Sequence, residues 1–315
     1  MINASQEDIE ELTGETTVEG MKKFLEEELK KEKLWHLFET VEQPLISCIR
    51  TMEETGITLD VEKLKKMSVE LHAQVKVLEK TIHELAGTEF NIASPKQLGD
   101  VLYEKLGLGT KIKKTKTGQK STNASELEKI KDEHAIVLYI IEYRELAKLL
   151  STYIDTLPTF VKEDGRIHAH FIQTGAGTGR FSCEDPNLQN LPIKTELGQK
   201  VRSAFIAAKG KVLLSCDYAQ IDLRAAAILS KDENLVEIFE KGIDVHTGTA
   251  ARVFGVKEEK VTADMRRKAK AINFGILYGM GVTALRANLG GERKDAQIFY
   301  DNYFAEFPTI AKYLE

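Results

Sequence analysis

Residues 60–85 constrain the fold more than any other part of the chain, because their apolar residues recur with heptad-like spacing. That spacing places the side chains on one face of an α-helix. The positions are Leu64, Met67, Leu71, Val75, Leu78, Ile82 and Leu85. Asp60 is suited to cap the start of this helix and Gly87 to end it. The pattern therefore predicts one long amphipathic helix.

A second long helix is predicted from about Ser125 to Leu157, ended by Pro158. Two such helices joined by a polar connection predict a long helical hairpin. The connection, KIKKTKTGQKSTN, holds five lysines between Lys111 and Lys120. The residues support two interpretations equally, a solvated loop or a loop whose lysines also contact duplex phosphates independently of base sequence.

Composition excludes several classes of function. With 315 residues and 42% apolar content the chain can bury a sizeable core, and its length predicts two or three domains. A net charge of −5 argues against a general polyanion binder, so nucleic-acid affinity would have to come from local basic patches. The three cysteines have neither disulfide nor zinc-ligand spacing, which indicates reduced thiols in the cytoplasm. No stretch resembles a signal peptide or is long enough to span a membrane, so no membrane partner is expected.

Residues 262–281, TADMRRKAKAINFGILYGMG, predict one helix with two opposed faces. The core-facing stripe consists of Met265, Ala269, Ile272 and Ile276. The opposite stripe recurs every fourth residue and consists of Arg266, Lys270, Phe274 and Tyr278. At about 1.5 Å per residue this second stripe spans roughly 18 Å, close to the length of an extended nucleoside triphosphate.

The order along that second stripe, two cations and then two rings, suggests a binding role. Arg266 and Lys270 would hold phosphates, and Phe274 and Tyr278 would meet the sugar and base. The alternative is a solvated surface helix with cation–π pairs between neighbouring turns.

The segment KVLLSCDYAQIDLRAAAILS suggests a metal ligand. Val212 to Cys216 predict a buried strand, Asp217 follows directly, and IDLRAAAIL predicts a helix. Magnesium prefers one or two carboxylates together with substrate phosphates. By itself, an aspartate after a strand is more often a turn former or a helix cap.

From Arg166 onward the pattern changes to short strands and glycine-rich turns. GRIHAHFIQT alternates as a strand does, and its His168 and His170 are interpreted as surface or hydrogen-bonded histidines, not as zinc ligands. The following loops, GAGTGRFS and EDPNLQNLP, are of the kind in which binding residues concentrate.

Several of these motifs resemble one known family. RRKAKAINFGILYG is very similar to the nucleotide-binding helix of family A DNA polymerases, the bacterial DNA polymerase I group. CDYAQIDLRAAAILS resembles the first palm signature of that family, HAHFIQTGAGTGRFSCEDPNLQNLP its primer–template segment, and DVHTGTA a further motif. The resemblance runs from about Val41 to the final residue, with the motifs in the family's order.

The resemblance implies DNA-templated DNA synthesis with two Mg²⁺ ions. Asp217 would bridge both ions, assisted by the backbone carbonyl of Tyr218, and Arg266 and Lys270 would act on the triphosphate during catalysis. The implied partners are primer–template DNA and deoxynucleoside triphosphates. The residues that the resemblance assigns to the nucleotide are Arg266, Lys270, Phe274, Tyr278, His246, Asp222 and Gln220.

Contacts to primer–template DNA are also implied by the resemblance. Lys148 matches a thumb residue on the duplex backbone, and Arg180, Gln189 and Asn190 match residues at the primer terminus and template. The loop lysines Lys113, Lys114 and Lys116 are added to this set on charge alone. Asp222 departs from the family, which usually has glutamate there, so the exclusion of ribonucleotides is in doubt.

The expected fold is α+β and predominantly helical, a partial right-hand polymerase with a helical thumb, part of an antiparallel-sheet palm and the start of helical fingers. The expected domains are a lead-in (1–40), thumb (41–165), partial palm (166–260) and partial fingers (261–315). The family's His-Asp-Glu motif is not found, so we expect an incomplete half that is inactive alone. It would be a truncated form, a gene fragment, or one subunit of a split enzyme whose partner is a C-terminal half.

Two rival functions remain. Single-subunit RNA polymerases share the Arg…Lys…Tyr spacing, but their helix lacks the Asn-Phe-Gly segment at 273–275, and the acidic residue at 222 favours deoxynucleotides. The other rival is a non-catalytic module that binds nucleic acid or nucleotides, because only one catalytic carboxylate is recognised.

Overall fold

The computed structural model describes residues 5–110, 120–193 and 195–314. The fold is predominantly helical with small antiparallel sheets, which confirms the predicted fold class. The chain divides into two compact units, Met1–Leu213 and Leu214–Glu315. The lysines Lys113, Lys114 and Lys116 lie outside the described residues. In the described ranges no helix is long and apolar enough to cross a membrane.

The first unit contains nine α-helices among its described residues. They are α1 (Gln6–Thr13), α2 (Val18–Lys31), α3 (Trp35–Leu37), α4 (Gln43–Thr55), α5 (Val61–Ala86), α6 (Pro95–Gly99), α7 (Ala124–Lys129), α8 (Ala135–Leu149) and α9 (Glu196–Arg202). Short π-helical segments are Phe38–Glu42, Asp100–Lys105 and Leu150–Ile154. Tighter 3₁₀ turns are Leu157–Phe160 and Leu188–Asn190.

The predicted long helix is present as α5, with the predicted ends. Asp60 caps it, since its carboxylate accepts a hydrogen bond from the backbone N–H of Lys63 at 3.0 Å. Gly87 ends it in the left-handed conformation, with φ of 61°. Six of the seven apolar positions are buried, and Leu85 is half-buried. The buried stripe packs against α8 and the π-helical segment that follows α8, and this contact forms the core of the unit.

The second predicted helix is not continuous. Residues 130–134 interrupt it between α7 and α8, so the expectation of one helix from Ser125 to Leu157 was wrong. Two side chains explain the break. The Glu133 carboxylate accepts a hydrogen bond from the backbone N–H of Gly109 at 2.8 Å, and His134 caps α8 by accepting from the N–H of Ile136 at 3.2 Å. Both contacts compete with a continuous helix.

Two small antiparallel sheets complete the first unit. The strands are β1 (Ile57–Leu59), β2 (Arg166–Ile167), β3 (His170–Ile172), β4 (Ser182–Glu184) and β5 (Phe205–Ile206). One sheet has the order β2-β1-β5, with Ile57 opposite Ile167 and Thr58 opposite Ile206. The other pairs β3 with β4, with Phe171 opposite Cys183.

The single strand predicted in GRIHAHFIQT is therefore split between two sheets, and that prediction was wrong. Hydrogen bonds of His168 explain the split: Nδ1 contacts the backbone oxygen of Glu53 at 2.6 Å, and Nε2 contacts the Asp164 carboxylate at 3.1 Å. His170 Nδ1 lies 2.8 Å from the Glu53 carboxylate. Both histidines thus have hydrogen-bonding partners, as predicted.

The second unit is all helical within its described residues. Its helices are α10 (Ile221–Ser230), α11 (Glu233–Glu240), α12 (Val245–Val253), α13 (Ala263–Leu277), α14 (Val282–Leu289), α15 (Arg293–Glu306) and α16 (Pro308–Leu314), with a 3₁₀ turn at Glu258–Lys260. Helix α12 packs against α13 and α15, and α10 packs against α13 and α16. Gly248 allows the close approach of α12 to α11, because a Cβ there would lie 2.9 Å from the side chain of Ile238.

The strand predicted at Val212–Cys216 is not formed. The segment is irregular and exposed, with Val212 85% and Leu214 84% accessible. A strand requires a neighbour for its backbone N–H and C=O groups, and no strand in the described part of the chain pairs with these residues. The helix predicted after it is present as α10.

The core contact of α5 yields a stability prediction. Replacement of the fully buried Leu64 by alanine should lower the free energy of unfolding of the first unit by about 2–5 kcal/mol, because it leaves a cavity. Val69→Ala on the same helix is the control, since Val69 is 73% exposed and its loss should cost less than about 0.5 kcal/mol. Urea unfolding followed by hydrogen exchange in α5 peptides measures both values. Equal effects of the two substitutions would contradict the assigned core.

Candidate functional site

Helix α13 has the two faces that the sequence predicts. Ala269, Ile272 and Ile276 are buried and Met265 is half-buried. The helix ends at Leu277, one turn earlier than predicted, because Gly279 adopts the left-handed conformation with φ of 73°. The prediction that the helix continues to residue 281 was therefore wrong. The next helix, α14, begins directly after Gly281.

The opposite face carries the two cations and two rings in the predicted order. Arg266, Lys270 and Tyr278 are exposed and Phe274 is half-buried. Tyr278 follows the last helical residue, and 65% of it is exposed. Within the described ranges no ion pair is found for Lys270, so its ammonium is available to an anionic ligand.

Arg266 is held by Asp244 in a two-point ion pair. Its Nε lies 3.0 Å from Oδ1 and its Nη2 lies 2.9 Å from Oδ2. Asp244 also caps α12, accepting hydrogen bonds from the N–H and the hydroxyl of Thr247 at 2.9 and 3.0 Å. Burial raises the pKa of Asp244, but the hydrogen bonds from Arg266 and Thr247 outweigh it and lower the pKa to about 2. The carboxylate is thus ionised. It accepts two hydrogen bonds from the Arg266 guanidinium, as a phosphate could.

His246 lies at the start of α12, 4% exposed, in contact with α13. Its ring centroid lies 5.5 Å from that of Phe274, and its Nδ1 lies 3.2 Å from the amide nitrogen of Asn273. Burial lowers the pKa of His246; the charges of Arg266 and Lys270 act in the same direction and Asp244 acts against them. The ring is therefore a neutral group beside two cations.

Asp222 and Tyr278 join the start of α10 to the end of α13. The Tyr278 hydroxyl donates a hydrogen bond to Asp222 Oδ2 at 2.6 Å. Asp222 lies in the first turn of α10, two residues after Gln220, whose φ of 56° is unusual for a residue other than glycine. The structure therefore brings the acidic residue of the predicted sugar contact against the second ring of the α13 face.

Asp217 and Tyr218 lie just ahead of α10 in the exposed irregular segment. The Asp217 carboxylate and the Tyr218 carbonyl are oxygen ligands of the kind that Mg²⁺ prefers, so these donors fit part of a magnesium site. In the part of the chain that the structure describes, no group of three or more His, Cys, Asp or Glu side chains is placed to hold a metal ion. Further ligands would have to come from substrate phosphates, water or another segment.

The residues predicted to contact DNA lie in the first unit. Lys148 is exposed near the end of α8, Arg180 is exposed in a loop, and Gln189 and Asn190 are exposed in the 3₁₀ turn Leu188–Asn190. The Gln189 amide donates to the backbone oxygen of Phe181 at 2.9 Å, which ties the two loops together. The Tyr153 hydroxyl donates to the backbone oxygen of Asn190, so these loops lie against the helical segment that follows Lys148.

Sequence reasoning missed two residues of the second unit, Asp244 and Asn273. Asp244 stands two residues before His246 and three before Thr247, which is the pattern of a helix cap. Asn273 is fully buried four residues after Ala269, so it is an amide on the core-facing stripe of α13. The cap pattern and the buried amide can both be read from the sequence. Neither shows that Asp244 pairs with Arg266 or that Asn273 contacts His246.

Comparison with known proteins identifies relatives along most of the chain. DNA polymerase I of Bacillus subtilis (strain 168) is 47% identical over 300 residues, which are 95% of this chain and 34% of the relative. The thermostable DNA polymerase I of Thermus thermophilus is 47% identical over 293 residues, 92% of this chain and 35% of the relative. The chain thus spans about a third of the length of these curated relatives.

A solved structure has the same fold. It is the POL domain of Pol1 from M. smegmatis in complex with DNA primer–template and dNTP, with a TM-score of 0.87 and 31% identity, covering 99% of this chain and 57% of that one. The family model "DNA polymerase family A" matches residues 61–315. The chain therefore belongs to DNA polymerase family A.

Proposed function

We propose that this chain is the part of a DNA-templated DNA polymerase that binds the incoming deoxynucleoside triphosphate and contacts primer–template DNA. The observation that carries the proposal is the exposed face of α13, where Arg266, Lys270, Phe274 and Tyr278 follow one another. The family membership supports it, as does the M. smegmatis neighbour, which is a complex with primer–template and dNTP.

The two cations would hold the triphosphate in different ways. Lys270 is exposed and offers a point charge with three donors. Arg266 offers a planar fork, and its present partner is the Asp244 carboxylate. A phosphate would therefore have to replace Asp244 on the guanidinium, which favours an anion of higher charge over a carboxylate-sized one. His246 would stand beside both cations as a neutral donor.

The two rings and the acidic residue would receive the sugar and base. Phe274 would lie against the sugar, and Tyr278 would occupy the position of the template base until the fingers close. Asp222 would lie under the sugar and exclude a 2′-hydroxyl, with Gln220 in the turn before it. The hydrogen bond between Tyr278 and Asp222 supports a shared role, because movement of the ring must break or carry that contact.

Family A DNA polymerases use divalent metal ions, and we propose two Mg²⁺ ions here. When bound, they would lower the pKa of the primer 3′-hydroxyl and neutralise the triphosphate and leaving pyrophosphate. Asp217 would contribute a carboxylate to both and Tyr218 its carbonyl. A second acidic ligand would come from the His-Asp-Glu motif of the family, which is not recognised in these 315 residues.

The first unit would contact the primer–template. Lys148 would bind a duplex phosphate, Arg180, Gln189 and Asn190 would meet the primer terminus and template, and the lysine loop would add sequence-independent affinity.

We place the protein in the cytoplasm with the nucleoid, which the free cysteines support. The RNA polymerase alternative is disfavoured by Asn273 and the acidic Asp222. The remaining alternative is a non-catalytic module that binds nucleic acid or nucleotides. Measurements of polymerase activity distinguish it from the proposed function.

Primer extension in the presence of a complementing half tests the proposed function. The purified chain, with magnesium and four deoxynucleotides, should not extend a primer, because Asp217 is the one catalytic carboxylate recognised among its motifs. Addition of a C-terminal polymerase half from a relative should restore extension, and Asp217→Asn should then abolish it. The exposed Asp295→Asn is the matched control and should leave the restored activity unchanged. Robust synthesis by the chain alone, or by the Asp217→Asn mixture, would contradict the proposal.

The shorter acidic residue at position 222 predicts weak exclusion of ribonucleotides. Asp222→Glu adds one methylene under the sugar and should raise the preference for deoxynucleotides about ten- to two-hundred-fold. The preference is measured as the ratio of dissociation constants for ATP and dATP on the chain, and as the ratio of incorporation efficiencies in the complemented enzyme. Asp222→Asn keeps the original length and should not tighten selection. If Asp222→Glu leaves both ratios unchanged, the surrounding pocket compensates and the argument from length is wrong.

A further inference from the structure

A buried polar cluster joins α12 to α13. It consists of Thr249 and Asn273, both 0% exposed, and His246, 4% exposed. Polar groups that are buried this deeply lose a large solvation energy, so their hydrogen-bonding capacity has to be satisfied inside the protein. The arrangement of donors and acceptors in the cluster is therefore informative.

The Asn273 amide nitrogen has two hydrogens and two acceptors within reach. One acceptor is His246 Nδ1 at 3.2 Å and the other is Thr249 Oγ1 at 3.1 Å. The threonine hydroxyl lies 3.3 Å from Asn273 Oδ1, so it satisfies the carbonyl end of the amide. A ring nitrogen that accepts a hydrogen bond carries no proton. A neutral imidazole has one N–H proton, which must then be on the other ring nitrogen.

We infer that Asn273 is a positioning residue that sets the tautomer of His246, holding Nδ1 unprotonated and the ring's proton on Nε2 as a donor to a phosphate of the incoming nucleotide. The part concerning the tautomer stands on the cluster alone. The part concerning phosphate rests on the proposed function and deepens it, since it assigns His246 a neutral donor role beside the two cations.

The charges around His246 support a neutral ring. From α13, the cations Arg266 and Lys270 oppose a third positive charge, and burial acts in the same direction. Asp244, at the start of the histidine's own helix, favours the charged form, but it is occupied by Arg266. Protonation of Nδ1 would also displace the amide hydrogen of Asn273. The neutral form with a fixed tautomer therefore agrees with burial, with the two cations and with the Asn273 amide, and Asp244 alone among these groups opposes it.

The alternative is that the cluster only holds α12 and α13 together and does not set the tautomer of His246. The amide of Asn273 could then be turned by 180°, with Oδ1 accepting from a protonated Nδ1, and the packing of α12 on α13 would be almost the same. Only the protonation state of the two ring nitrogens separates the alternatives, so the test has to observe those nitrogens.

Nitrogen NMR of the unaltered chain labelled with ¹⁵N-histidine provides that observation. The His246 signals are assigned by their loss in His246→Gln, and near neutral pH we expect an unprotonated Nδ1 and a protonated Nε2. In Asn273→Asp a carboxylate, which can only accept, faces Nδ1, so Nδ1 should become protonated. Asn288→Asp on the exposed face of α14 is the matched control and should change neither nitrogen. A protonated Nδ1 in the unaltered chain would overturn the inference, even if Asn273→Asp does not fold.

Titration of the same labelled chain with dATP separates the two parts. On binding, the Nε2 signal of His246 should shift more than its Nδ1 signal. If dATP binds and Nε2 does not respond, the donor role is wrong. If dATP does not bind at all, the proposed function fails while the tautomer result stands on its own.

Discussion

Burial of one face of α13 is the interaction on which the candidate site depends. Ile272 and Ile276 belong to the hydrophobic core of the second unit and Ala269 is also fully buried, on a helix that packs against α10 and α12. Because side chains four residues apart share a face, this burial exposes Arg266, Lys270 and Tyr278 together. The spacing and order of the site are thus consequences of how one helix is packed.

The same packing supplies the polar contacts that prepare the site. Helix α12 brings Asp244 to Arg266 and His246 to Asn273, across a contact that is otherwise apolar. The first pair holds the guanidinium in a defined position until a ligand phosphate replaces the carboxylate, which lowers the side-chain ordering cost of binding. The second pair is buried. The contact between α12 and α13 therefore stabilises the fold and also positions the side chains of the candidate site before a ligand binds.

The sequence predicts best where one periodicity and its local caps decide the outcome. The ends of α5 and the two faces of α13 follow from side chains a few residues apart. The errors have tertiary causes. The Glu133–Gly109 contact interrupts a helix that local periodicity favours, and Val212–Cys216 have strand propensity without a pairing neighbour.

Within the site, sequence reasoning supplied the residue types but not their partners. Arg266 and Asp244 are 22 positions apart, and Asn273 and His246 are 27 apart. No periodicity reports on such a pairing, since it depends on how two helices meet. The resemblance to family A polymerases identified His246, whereas the buried amide that contacts it became visible only when α12 and α13 were seen together.

The affinity of the chain for a deoxynucleoside triphosphate tests the central claim most directly, when it is compared between two lysines of α13. Lys270→Ala should weaken dATP binding about ten- to a hundred-fold, because a hydrogen bond to a charged phosphate is lost. Lys268→Ala removes a cation that is bound to Asp264 at 2.8 Å and lies off the proposed face, so it should leave the affinity within about twofold. Isothermal titration calorimetry measures both. Equal losses, or no loss in either variant, would show that the α13 face is not a triphosphate site.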